Sequence, residues 1–276
     1  MRLLCLTCEV LARPTYLCAA HSPHIVDVEL FRHGLHNDPA DLRSRLQTRI
    51  DSASSEAYDA ILLGYGLCGL SIAGLRARTV PLVIPRAHDC ITLFLGGRDR
   101  YDQQFRDKPG TYWYAQDYME RADGSGGGLA LGASGADDEK TYAEYVRKYG
   151  VDNADYLMQV MGAWQQHYQR AAYVDMGVGD GSATETEAKA TAERRGWSYD
   201  RLAGDMVLVR GLLNGDWGED FLVVEPGNVV TTSYDRAVIG CVCDPPGDEG
   251  NSALRSRKPT LPPEVCMRLL RRNRLP

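Results

Sequence analysis

No apolar run in the 276-residue chain approaches the ~20 residues that cross a bilayer, so a membrane span is not expected. Nor is there an excess of cations. Lys and Arg number 31 against 37 Asp and Glu, a net charge of −6, the reverse of a surface built to neutralise nucleic-acid phosphates. No short internal repeat is visible, and eight cysteines are too sparse for a disulfide-stapled scaffold. With 44% hydrophobic and 25% charged residues, the chain is neither disordered, collagen-like nor a coiled coil. The opening Met1-Arg2-Leu3-Leu4-Cys5-Leu6 has the look of a signal peptide. Glu9 and then Arg13-Pro14 cut it short of the about 7–15 apolar residues such a segment needs. A buried first strand is expected instead, in a cytoplasmic protein whose cysteines serve as thiols or metal ligands.

Periodicity supplies the architecture. Arg2–Val10 is a short apolar run, and Ile25–Phe31 alternates apolar and polar residues as a half-buried strand does. Asp38-Pro39 is a helix start, a capping carboxylate followed by Pro at the first helical position. Leu42, Leu46 and Ile50 then form its apolar stripe. Tyr58–Leu63 and Val80–Ile84 read as strands covered on both faces. Further on, helices are expected at Lys140–Tyr149, Asp152–Tyr168 and Thr184–Arg195, with strands at Tyr173-Val174 and Phe221–Val224. The expected fold is a three-layer αβα arrangement with a mostly parallel sheet and two similar α/β units. Its divisions are an N-terminal unit over 1–120, a Gly-rich loop over 121–139, a helical plus second α/β unit over 140–240, and a basic tail over 241–276. That tail reads as a solvated end, with an arm for nucleic acid or an acidic partner as the lesser alternative.

Residues just after strands carry the chemistry of open α/β sheets. Cys8, Cys68 and Cys90 each occupy such a place, and consecutive parallel strands are often neighbours. Three thiols meeting at one rim would suit zinc or an iron–sulfur cluster, with one coordination position left for substrate. His88, His33 or His36 would supply a nitrogen ligand or a general base. Gly64, Gly66 and Gly69 would let backbone approach a cofactor, and would cradle an anion if a helix starts near Leu70. Against this stands the ordinary role of a free cysteine as a small buried hydrophobe, which is the reading given to Cys18, Cys241, Cys243 and Cys266. Gly64-x-Gly66-x-x-Gly69 matches the dinucleotide fingerprint in form only, because no acidic residue stands where the ribose would be held.

The motifs Cys8-Glu9, Gly34-Leu35-His36-Asn37, Gly64-Tyr65-Gly66-Leu67-Cys68-Gly69, Pro81–Cys90 and Pro109-Gly110-Thr111-Tyr112-Trp113 resemble domain of unknown function family 1638. The resemblance runs from about residue 1 to about residue 235. It implies cytoplasmic proteins of anaerobes and methylotrophs, some encoded beside corrinoid-dependent methyltransferases, with motif positions at Cys8, His36, Cys68, Arg86, His88, Asp89 and Cys90. By fold-level analogy, quinolinate synthase is similar in holding a 4Fe–4S cluster with three cysteines from separate α/β units. The expected function is a metal-dependent enzyme acting on a small-molecule substrate by lyase, hydrolase or desulfurase chemistry, or by methyl transfer. Cys8, Cys68 and Cys90 would bind a 4Fe–4S cluster or zinc, and His36, Arg86, His88 and Asp89 would serve catalysis. The alternatives are a metallochaperone or accessory protein of corrinoid enzymes, and a metal-free ligand-binding protein. A corrinoid methyltransferase partner and a homodimer are expected; nucleic acid is not.

Overall fold

Residues Arg2–Cys8 form strand β1, whose side chains alternate between two destinations. Leu3 and Cys5 enter one buried core, while Leu4 and Leu6 enter a second. Successive side chains of a strand point to opposite faces, so a strand apolar throughout must be covered on both. Helix α1 (Ala12–His21) supplies Cys18 to the Leu3 side, and α2 (Pro39–Asp51) supplies Leu42, Leu46 and Ile50 to the Leu4 side. Strands β2 (Ile25–Phe31), β3 (Ala60–Gly64) and β4 (Leu82–Pro85) complete the parallel part of the sheet. The order is β2-β1-β3-β4, closed by β8 (Phe221–Val224) running antiparallel to β4. The chain winds from β1 to one side and from β3 to the other, on opposite faces. The crevice between β1 and β3 is therefore the topological switch point.

The computed structural model describes residues 1–121 and 168–243, with residues 146, 147, 150 and 151, but not the side chains of His36 and Asn37. Apart from Val146 and Arg147, which are helical, and Tyr168, which is not, the helices expected at 140–149 and 152–168 lie outside the described residues, as do the Gly-rich loop from 122 on and the tail beyond 243. Helices α3 (Cys90–Leu95) and α4 (Arg98–Asp107) follow β4. A second parallel sheet then forms in the order β5-β6-β7 from Thr111–Ala115, Arg170–Asp175 and Ser198–Ala203. Helix α5 (Gln116–Glu120) follows β5, and α6 (Ser182–Arg195) covers one face with Ala188 and Ala192 against Tyr112, Tyr114 and Tyr173. The other face delivers Trp113, Ala115, Ala172 and Val174 to the core that holds Leu3, which α7 (Val207–Asn214) also lines. The fold is a three-layer α/β structure with mostly parallel sheets. A hairpin of β9 (Asn228–Thr232) and β10 (Ile239–Cys243) packs Val230 and Ile239 into the Leu4 core. Among the described residues no helix is long and apolar enough to cross a membrane.

Elements shift where backbone chemistry decides. Strand β4 begins at Leu82 rather than Val80 because Pro81 has no N–H for a ladder; its carbonyl still accepts from Ile61 N at 2.9 Å. Helix α1 runs through Pro14, which sits in the first turn where an N–H would have no partner. The second sheet takes β5 from before the Gly-rich loop, and β8 returns to the first sheet.

Candidate functional site

Cys8 ends β1, Cys68 lies in the loop after β3, and Cys90 opens α3 after β4. The three strands are side by side, and Thr7 pairs with Gly64, so β1 and β3 end level. Two backbone hydrogen bonds tie the second and third loops together: Leu67 N donates to Ala87 O at 2.8 Å, and Cys68 N donates to His88 O at 2.9 Å. Gly66 permits this approach, since a Cβ there would lie 2.6 Å from Asp89 N. At Gly64 a Cβ would overlap Thr7 Oγ1, which donates to the Gly64 carbonyl at 3.1 Å. Both glycines thus bring loop to loop. Cys68 (φ 43°), Gly69 (φ 64°) and Leu70 (φ 74°) are consecutively left-handed, a conformation that strains the two non-glycine residues. A run of turns follows. No helix starts near Leu70, so the anion cradle conditional on one does not form.

Each of the three cysteines keeps some exposed surface, yet all three sulfurs sit in a desolvated setting. Burial pushes the Cys8 thiol from its usual 9.0 up to about 12, with Glu9 adding to the rise. Burial raises Cys68 too, helped by Asp89 and Cys8. Cys90 is raised well above the usual range by burial, then Asp89, Cys68 and Cys8. Every pair of the three is thus close enough for one charge to oppose the next. Backbone dipoles act the other way: the N–H groups of Val10 and Glu9 lie near the Cys8 sulfur, and those of Gly66 and Cys90 near the Cys68 sulfur. Two tyrosines share the setting. Tyr65 is 3% exposed, its hydroxyl is buried with no hydrogen-bond partner, and its electrostatic neighbours include Cys8 and Cys68. Tyr118 has Cys90 and Cys8 among its electrostatic neighbours.

Asp89 caps α3, accepting from Ile91 N at 3.0 Å and Thr92 N at 3.2 Å, and takes a hydrogen bond from the Tyr101 hydroxyl at 3.2 Å. Burial raises its carboxyl, and these donors and His88 pull it back in part. His88 is exposed and stacks on Tyr101 at a centroid distance of 5.6 Å. Arg86 directs Nη1 at the carbonyls of Ala237, at 3.1 Å, and Ile239, which straps the β9–β10 hairpin to the sheet. The side chain of His36 lies outside the described residues. Cys5 and Cys18 are core residues, as expected of Cys18, and Cys241 is partly buried against the Leu4 core; Cys243, expected to be a small buried hydrophobe, is instead exposed near the end of the β9–β10 hairpin, and Cys266 lies outside the described residues.

Sequence reasoning passed over Tyr65 and Tyr118, and it gave Glu9 no role beyond interrupting an apolar run. Glu9 accepts from the backbone N–H of His33 at 3.0 Å, and its Oε1 lies 3.3 Å from His33 Nδ1. His33 in turn stands 5.2 Å from the Tyr118 ring. The available signal was the order of strands: β2 is the next neighbour of β1, so the residue just past its end falls on the same rim.

Among the described residues, no group of three or more His, Cys, Asp and Glu side chains is placed to hold a metal ion. The Tyr65 hydroxyl is buried without a hydrogen-bond partner.

Fold and site together define a doubly wound α/β protein with a thiol cluster at its switch point. The chain belongs to the family described as protein of unknown function (DUF1638), which matches residues 30–213. Cys68 and Cys90 fall inside that match and Cys8 before it. No curated protein and no solved structure matches the chain.

Proposed function

We propose that the protein is a metal-dependent enzyme in which Cys8, Cys68 and Cys90 hold zinc or an iron–sulfur cluster and a small substrate binds alongside. The observation that carries this reading is the meeting of three mutually opposed thiols with an unpartnered buried hydroxyl at the sheet's switch point. When bound, the metal supplies Lewis-acid polarisation of a substrate oxygen or sulfur. The chain's own residues do the rest. Asp89 fixes the start of α3 and with it the Cys90 backbone, and the Cys68–His88 hydrogen bond sets the two loops at a constant spacing. His88, exposed beside Tyr101, exchanges protons with solvent, while the donors of Arg86 other than Nη1 hold a substrate carboxylate. Bringing the three sulfurs onto one cation requires side-chain rotation within this frame.

Anaerobic purification followed by elemental analysis and a visible spectrum tests the proposal. Stoichiometric zinc, or iron and sulfide with broad visible absorbance, is expected, and it should vanish in the Cys8→Ser/Cys68→Ser/Cys90→Ser variant. Metal content unchanged by the triple substitution refutes it. A second reading, an accessory protein that hands its metal to a corrinoid enzyme, draws on Leu70, an apolar residue 51% exposed beside Cys68. Rapid loss of the metal to a partner apoenzyme, without turnover of any small molecule, would favour that reading.

A further inference from the structure

Three arginines meet at the turn of the β9–β10 hairpin, and two of them have acidic partners. Arg98, at the start of α4, pairs with Asp220 at 2.9 Å, and Arg236, within the turn, pairs with Asp99. The Asp235 carboxylate is committed as well, accepting from Ser233 Oγ at 2.7 Å and Ala237 N at 2.8 Å. Arg86, just past β4, is the exception. It is half-buried, and among the described residues no carboxylate lies within ion-pair distance of it. Its side-chain partners there are the carbonyls of Ala237, at 3.1 Å, and Ile239, both met by Nη1. Carbonyls satisfy a donor without supplying counter-charge, and a cation drawn out of water is ordinarily paired. With Nη1 held, the planar guanidinium is fixed in direction. Its Nε–Nη2 edge is the fork that takes two oxygens of one oxyanion. The same two bonds grip a strained turn. Val238 is β-branched, left-handed (φ 64°) and 1% exposed, and a 2.6 Å bond from Ile239 N to Ala237 O closes a three-residue γ-turn around it. Such a conformation persists only where its surroundings impose it. Arg86 holds the carbonyls on both sides of Val238, and Arg98 Nη1 holds that of Arg236.

We propose that the hairpin turn is a strap tightened by a bound oxyanion: a carboxylate or phosphate on the Nε–Nη2 edge of Arg86 and the grip of Nη1 on the Ala237 and Ile239 carbonyls reinforce each other. Docking of the turn half-buries the Arg86 cation, and the anion offsets that charge. With the turn undocked, water serves Arg86 instead, so the docked form binds the anion more tightly and is favoured by it. This rests on the part of the proposed function that gives Arg86 a substrate carboxylate; it adds the coupling to the hairpin and needs no metal.

The test uses the full metal-free chain titrated separately with sodium acetate and sodium phosphate, against sodium chloride at matched ionic strength. Binding is read from the Arg86 Nε–H resonance, assigned by its loss in Arg86→Lys, and docking from amide hydrogen exchange of the hairpin. At an anion concentration about ten times its dissociation constant, exchange over Asn228–Cys243 should slow about tenfold, with β1 and β3 unchanged. A response to either oxyanion supports the inference, and the stronger one names the source, carboxylate or phosphoryl group. Arg86→Lys keeps the charge but not the fork, so its exchange should respond less than twofold. A resonance shift without slower exchange overturns the strap and leaves Arg86 as a carboxylate-binding residue. Neither shift nor slowing overturns both. An equal response to chloride, or a response in Arg86→Lys as large as in the natural protein, overturns the inference too, since charge alone would then account for it.

Discussion

Replacing Gly66 by alanine tests the packing that brings the second and third loops together. The new Cβ would lie 2.6 Å from Asp89 N and 2.7 Å from Asp89 Cα, where ordinary contact begins at 3.4 Å. Both atoms are backbone, so no side-chain rotation relieves the overlap. The loops must separate by about 0.8 Å, and that carries the Leu67–Ala87 and Cys68–His88 hydrogen bonds from 2.8 and 2.9 Å past the useful range. Overpacking costs about 1–3 kcal/mol, and the two bonds add about 1 kcal/mol each, so the expected loss is about 3–5 kcal/mol. Gly69→Ala is the control. Its φ of 64° costs an alanine about 1–2 kcal/mol, but its nearest atom, Pro39 Cγ, is 3.8 Å away. Urea unfolding midpoints of both variants decide the matter. A Gly66→Ala protein within about 0.5 kcal/mol of the natural one, or less impaired than Gly69→Ala, refutes the reasoning.

Asp117, 4% exposed, accepts from the Arg13 backbone N–H at 2.8 Å and pairs with the Arg13 guanidinium. Asp117→Ala should cost about 2–3 kcal/mol in urea unfolding, below the figure for a fully buried pair because Arg13 is 34% exposed. Arg86→Met removes the two bonds to the Ala237 and Ile239 carbonyls and should lower amide-exchange protection in the β9–β10 hairpin at least about tenfold, with β1 and β3 unchanged. In the metal-free protein, a Cys8 pKa of about 12 against the usual 9.0 makes its thiolate about a thousandfold scarcer at pH 8. Iodoacetamide should therefore label exposed Cys243 well before Cys8, as read by mass spectrometry. The same thiols keep their protons in the folded state after the unfolded chain has lost them. Stability from this source is constant below about pH 9 and falls as pH rises toward 12, a slope the triple Cys→Ser variant should flatten.

Elements with a complete local signal were legible in the sequence. Strand β2 has the expected bounds, Ile25–Phe31, because alternation alone marks it, and Asp38 caps α2 through Ala40 N and Asp41 N as its Asp-Pro start implies. Strand β5 was not legible: Thr-Tyr-Trp-Tyr-Ala is fully buried, but it is aromatic rather than aliphatic and lacks alternation. Nor was β7, an edge strand whose Ser-Tyr-Asp-Arg-Leu-Ala mixes charge with apolar residues because it is only half covered. At the site, the cysteines stood out by position after strands. Tyr65 did not, since an unpartnered hydroxyl is a property of three-dimensional surroundings. The same holds for Arg86, whose partners lie in a hairpin more than a hundred residues away.

The electrostatics also bear on two uses of the thiols. A nucleophile must be a thiolate at working pH, and forming one at Cys8 at pH 7 from a pKa of about 12 costs about 7 kcal/mol, a population near one in 10⁵. Asp89 makes the problem worse at Cys68 and Cys90, because its carboxylate, like the neighbouring thiolates, opposes further negative charge. A bound cation reverses each of these contributions. The desolvation that penalises a lone thiolate strengthens its attraction to a metal, the thiols no longer oppose one another across a shared positive charge, and the N–H groups near Cys8 and Cys68 continue to favour the ionised form. The features that make these cysteines poor nucleophiles are thus compatible with the ligand role proposed for them. Proton release on metal binding, measured by calorimetry in buffers of different ionisation enthalpy, should approach three per site at pH 7. Release near zero would mean that the thiols do not ligate.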